Sequence, residues 1–399
     1  MATKTKFGMS TYIGETITGL PYPVFYDPHY PILINNPPVS LITGSPGSGK
    51  TFSGLLIASH ASALGKIGVI LDPKGDFTAL KKLEKAGYIG KINIWSVADL
   101  DGEVLEENVG MLDPTAFTPD TNQNTALTID VIKSLIGDLT PKQITNLTPI
   151  IRDIVEGNSP SFLRVAQKLM SSRDDEIRSL GYSLDTLLQT KLAKLIVLNK
   201  RIQKKPLVLE EGFIVANLMG LSMPPDTKPS KEWSSAEKIS IIIIGLLSQL
   251  ILDMMGKKPK KIYKTLIIDE AWAIMATESG KSMIRATARL GRSLNLAVIL
   301  ITQSTKHLGV GENSDTNTMI SVRFAFRNND DKDNMTTCKY MRLPEDEGWE
   351  QIIRELETGE CLMQDALFNT SIVHIMTNDK WQKMFNTNPI DDQEWYKTN

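Results

Sequence analysis

Gly44-Ser45-Pro46-Gly47-Ser48-Gly49-Lys50-Thr51 decides how this chain folds. The eight residues fit G-x-x-x-x-G-K-[ST] at every fixed position. Ahead of them, Val39-Ser40-Leu41-Ile42-Thr43 is a short apolar run that reads as a buried strand. Behind them, Thr51-Phe52-Ser53-Gly54-Leu55-Leu56-Ile57-Ala58 reads as a helix start. Strand, glycine loop and helix together aim free backbone N–H groups and a helix N-terminus at an anion. The glycines let the loop bend tightly and let its backbone approach a phosphate. Lys50 is then placed to reach the β- and γ-phosphates of a nucleotide, and the Thr51 hydroxyl to hold Mg²⁺. A chance glycine-rich turn is the bland alternative, and it leaves the flanking strand and helix unexplained.

A second constellation lies far downstream. Thr265-Leu266-Ile267-Ile268-Asp269-Glu270 is an apolar strand ending in two carboxylates. Phosphoryl chemistry needs this pair: one acid fixes the magnesium shell, and the other orients or deprotonates the attacking water. Asp269 is the expected magnesium-shell residue and Glu270 the expected base. Leu296-Ala297-Val298-Ile299-Leu300-Ile301 ends in Thr302-Gln303. An amide there faces the crevice where open α/β sheets bind ligands, so Gln303 reads as a γ-phosphate sensor or water holder, or as a plain polar cap. Arg285, Arg289 and Arg292 precede this strand, and Arg323 and Arg327 lie on and after Ile320–Phe326. In a ring, an arginine of one subunit reaches its neighbour's γ-phosphate, and its planar fork suits phosphate oxygens. Arg292 and Arg323 are the expected fingers, although a surface salt bridge accounts for any single one of the five.

The organisation follows from these anchors. Further strands are expected at Ile67–Leu71, which runs into Asp72-Pro73-Lys74-Gly75-Asp76, and at Ile92–Ser96, with a helix near Ala79–Ala86 between them. Such alternation predicts an α/β fold of RecA-like P-loop type: a mainly parallel sheet, helices on both faces and an all-α insertion. Residues 1–38, rich in proline, read as a leading segment wrapped on the domain. Residues 39–118 and 207–399 read as the core. Residues 119–206 read as the insertion, because apolar residues recur there at helical spacing, as at Leu184, Leu187, Leu188, Leu192 and Leu195. Thr140-Pro141 and Ser159-Pro160 read as helix starts. The apolar run Ile239–Leu252 reads as a buried core helix rather than a membrane span.

With 399 residues, 41% hydrophobic and 23% charged, the chain has the composition of a soluble globular protein. A net charge of −2 advertises no global field for nucleic acid, though a ring could keep basic residues in its pore. The run Lys257-Lys258-Pro259-Lys260-Lys261 reads as a solvated turn before it reads as a DNA-facing patch. Two cysteines, Cys338 and Cys361, suit a reducing cytoplasm, and the four histidines form no metal pattern. No secretory leader is apparent at Met1–Phe7, so the expected location is cytoplasmic, with membrane contact only through partners.

Taken in order, these segments resemble the HerA–FtsK superfamily of hexameric P-loop motors, most of all the conjugation and type IV secretion ATPases of the TraC/TrbE type. The likeness rests on Gly14–Pro21 ahead of the loop, the loop itself, Leu71–Asp76, Gly110-Met111-Leu112-Asp113-Pro114, Leu266–Trp272, Arg289-Leu290-Gly291-Arg292, Ile301-Thr302-Gln303 and Glu357–Leu362. It implies a homo-hexameric ring that hydrolyses ATP with Mg²⁺ to move a macromolecule, DNA or protein. The implied partners are secretion-channel or mobile-element proteins. Members usually carry a large N-terminal docking domain, and only residues 1–38 precede the core here. A separate docking protein, or a stand-alone DNA translocase of a mobile element or phage, is therefore also expected. A third reading is an ATP-dependent assembly or scaffold protein. Small-molecule kinases share the loop, but the Asp-Glu strand with a downstream Gln is an ATPase pattern.

Overall fold

The computed structural model describes residues 10–99, 101–198, 209, 211–225, 228–275, 278–306, 318–344 and 347–385. Eleven strands form one sheet: β1 (Thr11–Thr16), β2 (Pro23–Tyr26), β3 (Val39–Thr43), β4 (Ile67–Asp72), β5 (Ile92–Ser96), β6 (Phe213–Asn217), β7 (Lys264–Ile268), β8 (Leu296–Thr302), β9 (Val322–Phe326), β10 (Glu360–Gln364) and β11 (Thr370–Ile375). Their spatial order is β2-β1-β11-β10-β9-β3-β8-β7-β4-β6-β5. From β9 to β5 every pairing is parallel. From β2 to β9 every pairing is antiparallel. This is the mainly parallel sheet that the alternation of strands and helices predicts.

Alternate residues of the central strands feed two cores. In β8, Val298 and Leu300 enter one while Ile299 and Ile301 enter the other. A strand covered on both faces has no polar side to show, which is why it reads as an unbroken apolar run. The loop's own helix, Lys50–Ala63, covers one face through Leu55 and Leu56. Helices Thr121–Ile136, Pro141–Glu156, Phe162–Met170, Asp175–Leu188 and Ser235–Lys257 share the core on the other. By length and composition Ser235–Lys257 could cross a membrane, but 67% of its apolar window is buried inside the fold.

Local chemistry explains most element starts. Thr140 and Gln143 form a reciprocal cap on the helix whose first residue is Pro141. Ser234 and Glu237 do the same for Ser235–Lys257. Ser159-Pro160 does not start a helix. The helix begins at Phe162, and its N–H donates to the buried Asp113 carboxylate at 3.0 Å, a partner distant in sequence. Asp113 also accepts from the N–H groups of Thr115 and Leu198, so it ties together three segments of this helical region. The leading segment also differs from expectation. From Ser10 onward it adds β1 and β2 to the antiparallel end of the sheet rather than only wrapping it. β2 is the outermost strand, where Pro23 has no ladder bond to lose. The boundary expected near 206–207 and His307 lie outside the described residues.

Candidate functional site

The loop leaves β3 at Gly44 and enters its helix at Lys50. Gly44 has φ +147°, and a Cβ there would stand 2.7 Å from Phe326 Cβ and 2.9 Å from Ser48 Oγ. Gly49 has φ +115°, and its Cβ would press on the Gly359 backbone at 3.1 Å. Both conformation and space therefore demand glycine. The Ser45 N–H donates to the Arg327 carbonyl (2.8 Å) and its hydroxyl to Asn328 Oδ1 (3.1 Å). The Gly359 N–H donates to the Ser48 carbonyl (2.9 Å). The chain after β9 and the turn before β10 thus clamp the loop from two sides, while Pro46 and Gly47 form its exposed tip.

Lys50 is buried, and its Nζ donates to the Ser45 carbonyl at 2.8 Å. Burial lowers its pKa to about 8, helped by the neighbouring Lys74 ammonium and opposed by Glu270 and Asp269. The cation thus lies bent back on its own loop, where a phosphate would offer it far stronger acceptors.

The two carboxylates stand at the end of β7. The register places them beside the ends of β4 and β8, with β3 next in the sheet. The Asp269 N–H donates to the Leu71 carbonyl (3.0 Å), which extends the parallel ladder into the site. Asp269 Oδ1 accepts the Glu270 N–H (3.0 Å), while Oδ2 is buried with no partner among the described residues. Burial, then the Glu270 charge, push the Asp269 carboxyl up to about 7, with Lys74 pulling the other way. A buried oxygen left unpaired, on an acid reluctant to ionise, is the setting a divalent cation would complete.

Glu270 adopts φ +51°, uncommon for a residue with a side chain and a mark of backbone held for a purpose. Trp272 Nε1 donates to its Oε2 at 2.7 Å, and Gln303 Nε2 to its Oε1 at 3.3 Å. Lys74 Nζ forms an ion pair with the same Oε1. Burial raises the Glu270 carboxyl, but the Lys74 ammonium and the two other donors outweigh it and hold the group below its ordinary range. Asp72, fully buried at the end of β4, accepts the N–H groups of Gly75 (2.8 Å) and Phe77 (2.9 Å) and so shapes the turn that carries Lys74.

The structure therefore brings Lys50, Asp269, Glu270 and Gln303 to one edge, with Thr51 partly exposed behind the loop. Beside Thr51 opens a cavity of ≈ 590 Å³, lined also by Phe52, Leu55, Asp379, Gln382, Lys383 and Phe385. The arginines stand elsewhere. Arg292 is exposed on helix Glu278–Leu294, just ahead of β8, and its Nη1 donates to the Asn35 carbonyl (3.0 Å). β8 separates it from its own loop by roughly 20 Å. Arg323 is buried, with Nη1 donating to Gln364 Oε1 (3.0 Å), Nη2 to the Ile320 carbonyl (2.9 Å), and the guanidinium over the Tyr340 ring. An arginine so enclosed presents nothing to a neighbouring chain, so the expectation of a finger at Arg323 is corrected to a structural role.

Lys74, Trp272, Asn328 and Gly359 belong to the site without having been assigned a part in it from sequence. Lys74, Trp272 and Gly359 lay in segments already singled out, and only Asn328 did not. Lys74, Asn328 and Gly359 meet their partners through the sheet order, whereas Trp272 stands two residues from Glu270. Among the described residues no group of three or more His, Cys, Asp or Glu could hold a metal. A cation here would need oxygens from a bound nucleotide.

Residues 34–385 match the family of AAA-like domains. A curated relative is the uncharacterized protein YddE of Bacillus subtilis (strain 168), 24% identical over 370 residues. That alignment covers 88% of this chain and 43% of YddE, so the chain spans less than half of that relative. Among solved structures, VirB4 of Thermoanaerobacter pseudethanolicus superposes with a TM-score of 0.70 at 16% identity, covering 94% of this chain and 98% of its own. The plasmid coupling protein TrwB in complex with ADP and Mg²⁺ superposes with a TM-score of 0.55 at 17% identity, covering 92% and 90%. At these identities the likeness is one of fold.

Proposed function

This chain belongs to the family of AAA-like domains, and from that premise we propose that it is an ATP-hydrolysing, ring-forming motor of the conjugation and type IV secretion type. The observation that carries the reading is the unpaired, buried Asp269 Oδ2 beside Lys50, Glu270 and Gln303. The backbone N–H groups of Gly47, Gly49, Lys50 and Thr51 and the Lys50 ammonium hold the β- and γ-phosphates. The Thr51 hydroxyl and Asp269 hold Mg²⁺, which when bound neutralises phosphate charge. Glu270 takes a proton from the attacking water, and Gln303 orients that water. The base and ribose lie in the cavity beside Thr51, against Phe52 and Phe385, whose rings meet edge to face at 5.4 Å.

Arg292 cannot serve its own site across the length of β8, which supports a role against a neighbour's nucleotide in a homo-hexamer. The division of labour follows the expected boundaries: core at 39–118 and 207–399, leading segment at 1–38, helical insertion at 119–206. The substrate moved is DNA or protein, with secretion-channel or mobile-element proteins as partners. The fold shared with VirB4 and TrwB supports this reading.

The test is the steady-state ATPase rate across protein concentration, with and without double-stranded DNA. A rate per subunit that climbs with concentration supports assembly with Arg292 acting in trans. A jump with DNA selects the DNA-translocase form of the reading. No hydrolysis at any concentration, with Lys50→Ala indistinguishable from wild type in nucleotide binding, would sink it.

A further inference from the structure

Both oxygens of the Glu270 carboxylate already carry donors. Lys74 and Gln303 hold Oε1, and Trp272 holds Oε2. A base engaged in this way is poorly disposed to take a proton from water, so the arrangement is that of an enzyme at rest. Of the three donors, the Lys74 side chain is the one on a long flexible stem and is half exposed. Its charge is also felt at Lys50, so the two ammonium groups stand near each other at the edge where a terminal phosphate would sit.

We infer that Lys74 reads the γ-phosphate: it holds Glu270 when the site lacks a triphosphate and transfers to the terminal phosphate when one arrives, freeing Glu270 Oε1 for the attacking water. This rests on the ATPase reading above. A terminal phosphate carries more charge than a carboxylate and offers three equatorial oxygens, so it outcompetes Glu270 for a cation that both can reach. Lysine suits the task because a point charge on a four-carbon stem exchanges partners by rotating, without the fixed fork of arginine. A diphosphate has no γ-phosphate, leaves Lys74 on Glu270 and keeps the base blocked. The turn capped by Asp72 supplies the rigid footing from which the side chain swings.

The test is equilibrium titration with fluorescent ADP and a fluorescent non-hydrolysable ATP analogue, both with Mg²⁺. The proteins are wild type, Lys74→Met, Glu270→Gln and the double variant. The charge-assisted bond to phosphate predicts about tenfold weaker binding of the triphosphate to Lys74→Met, with ADP unchanged. Glu270→Gln is expected to bind the triphosphate several-fold tighter than wild type, because the latch is gone, and the double variant to lose that gain. Equal effects on ADP and triphosphate, or a gain from Glu270→Gln that persists without Lys74, overturn the inference while the ATPase reading stands. Wild-type protein that binds neither nucleotide overturns both.

Discussion

Where β4 and β7 begin, Lys66 and Lys264 are buried; at the opposite edge, past the end of β3, so is Lys50. Lys264 Nζ donates to three carbonyls, those of Pro259, Ile262 and Leu294, at 2.6–3.2 Å. Lys66 Nζ lies 3.3 Å from both Asp27 Oδ1 and His29 Nδ1. His29 Nε2 donates to the Lys264 carbonyl at 2.9 Å, which fixes the tautomer that leaves Nδ1 free to accept. Every member of this network has its partners inside the fold. At the other edge Lys50 has one carbonyl, Asp269 Oδ2 has none among the described residues, and Glu270 sits at positive φ. Burial of charge is common to both edges. What distinguishes the functional edge is that a buried charged group there, the Asp269 carboxylate, has one oxygen with no partner among the described residues, which a ligand would complete.

The contrast is broken most severely at Lys50. Lys50→Ala is expected to abolish nucleotide turnover and leave the fold intact, as read by ATPase assay beside circular dichroism. Glu270→Gln comes next: it should still bind ATP but hydrolyse it roughly 10³-fold more slowly, within the range for loss of a general base. Normal turnover in that variant would remove Glu270 from the role. The sealed edge answers the other way. Lys66→Met strands the Asp27 carboxylate in the interior and should cost about 3–5 kcal/mol in urea unfolding, with nucleotide affinity of the folded protein unchanged.

The smallest effect sharpens the comparison through pH. At the sealed edge burial and Lys66 hold His29 below its ordinary value, and Asp27 is also lowered, because its His29 and Lys66 partners outweigh burial. Groups depressed by folding contribute stability that is lost as pH falls through their folded values. At the open edge Asp269 is raised to about 7, so its contribution is present in acid and lost as pH rises from about 4 to about 7. Asp269→Asn should therefore make the nucleotide-free protein more stable at pH 8, by on the order of 1 kcal/mol, and flatten that fall. Urea midpoints between pH 5 and pH 8 measure it. A variant less stable than wild type at pH 8 would show that Asp269 is satisfied without a ligand.

Much of this was legible in the chain because it is local. Gly44–Thr51 carries its chemistry within eight residues, and β7 and β8 announce themselves as apolar runs ending in polar groups. Thr140-Pro141 marked a helix start because cap and proline act within one turn. Ser159-Pro160 misled for the opposite reason: Asp113, which accepts the first helical N–H, arrives through tertiary structure. β2 was hidden by Pro23, which an edge strand tolerates.

The sequence by itself determined that a phosphate loop and a paired-acid strand belong to one parallel sheet, since spacing and periodicity act over a few residues. Only the tertiary structure decided which residues meet. Strand order placed Lys74 on Glu270, closed Arg323 inside against Tyr340, and set Arg292 a strand's length from its own loop. These pairings depend on register between strands far apart in the chain, and no local pattern of residue types encodes such distances.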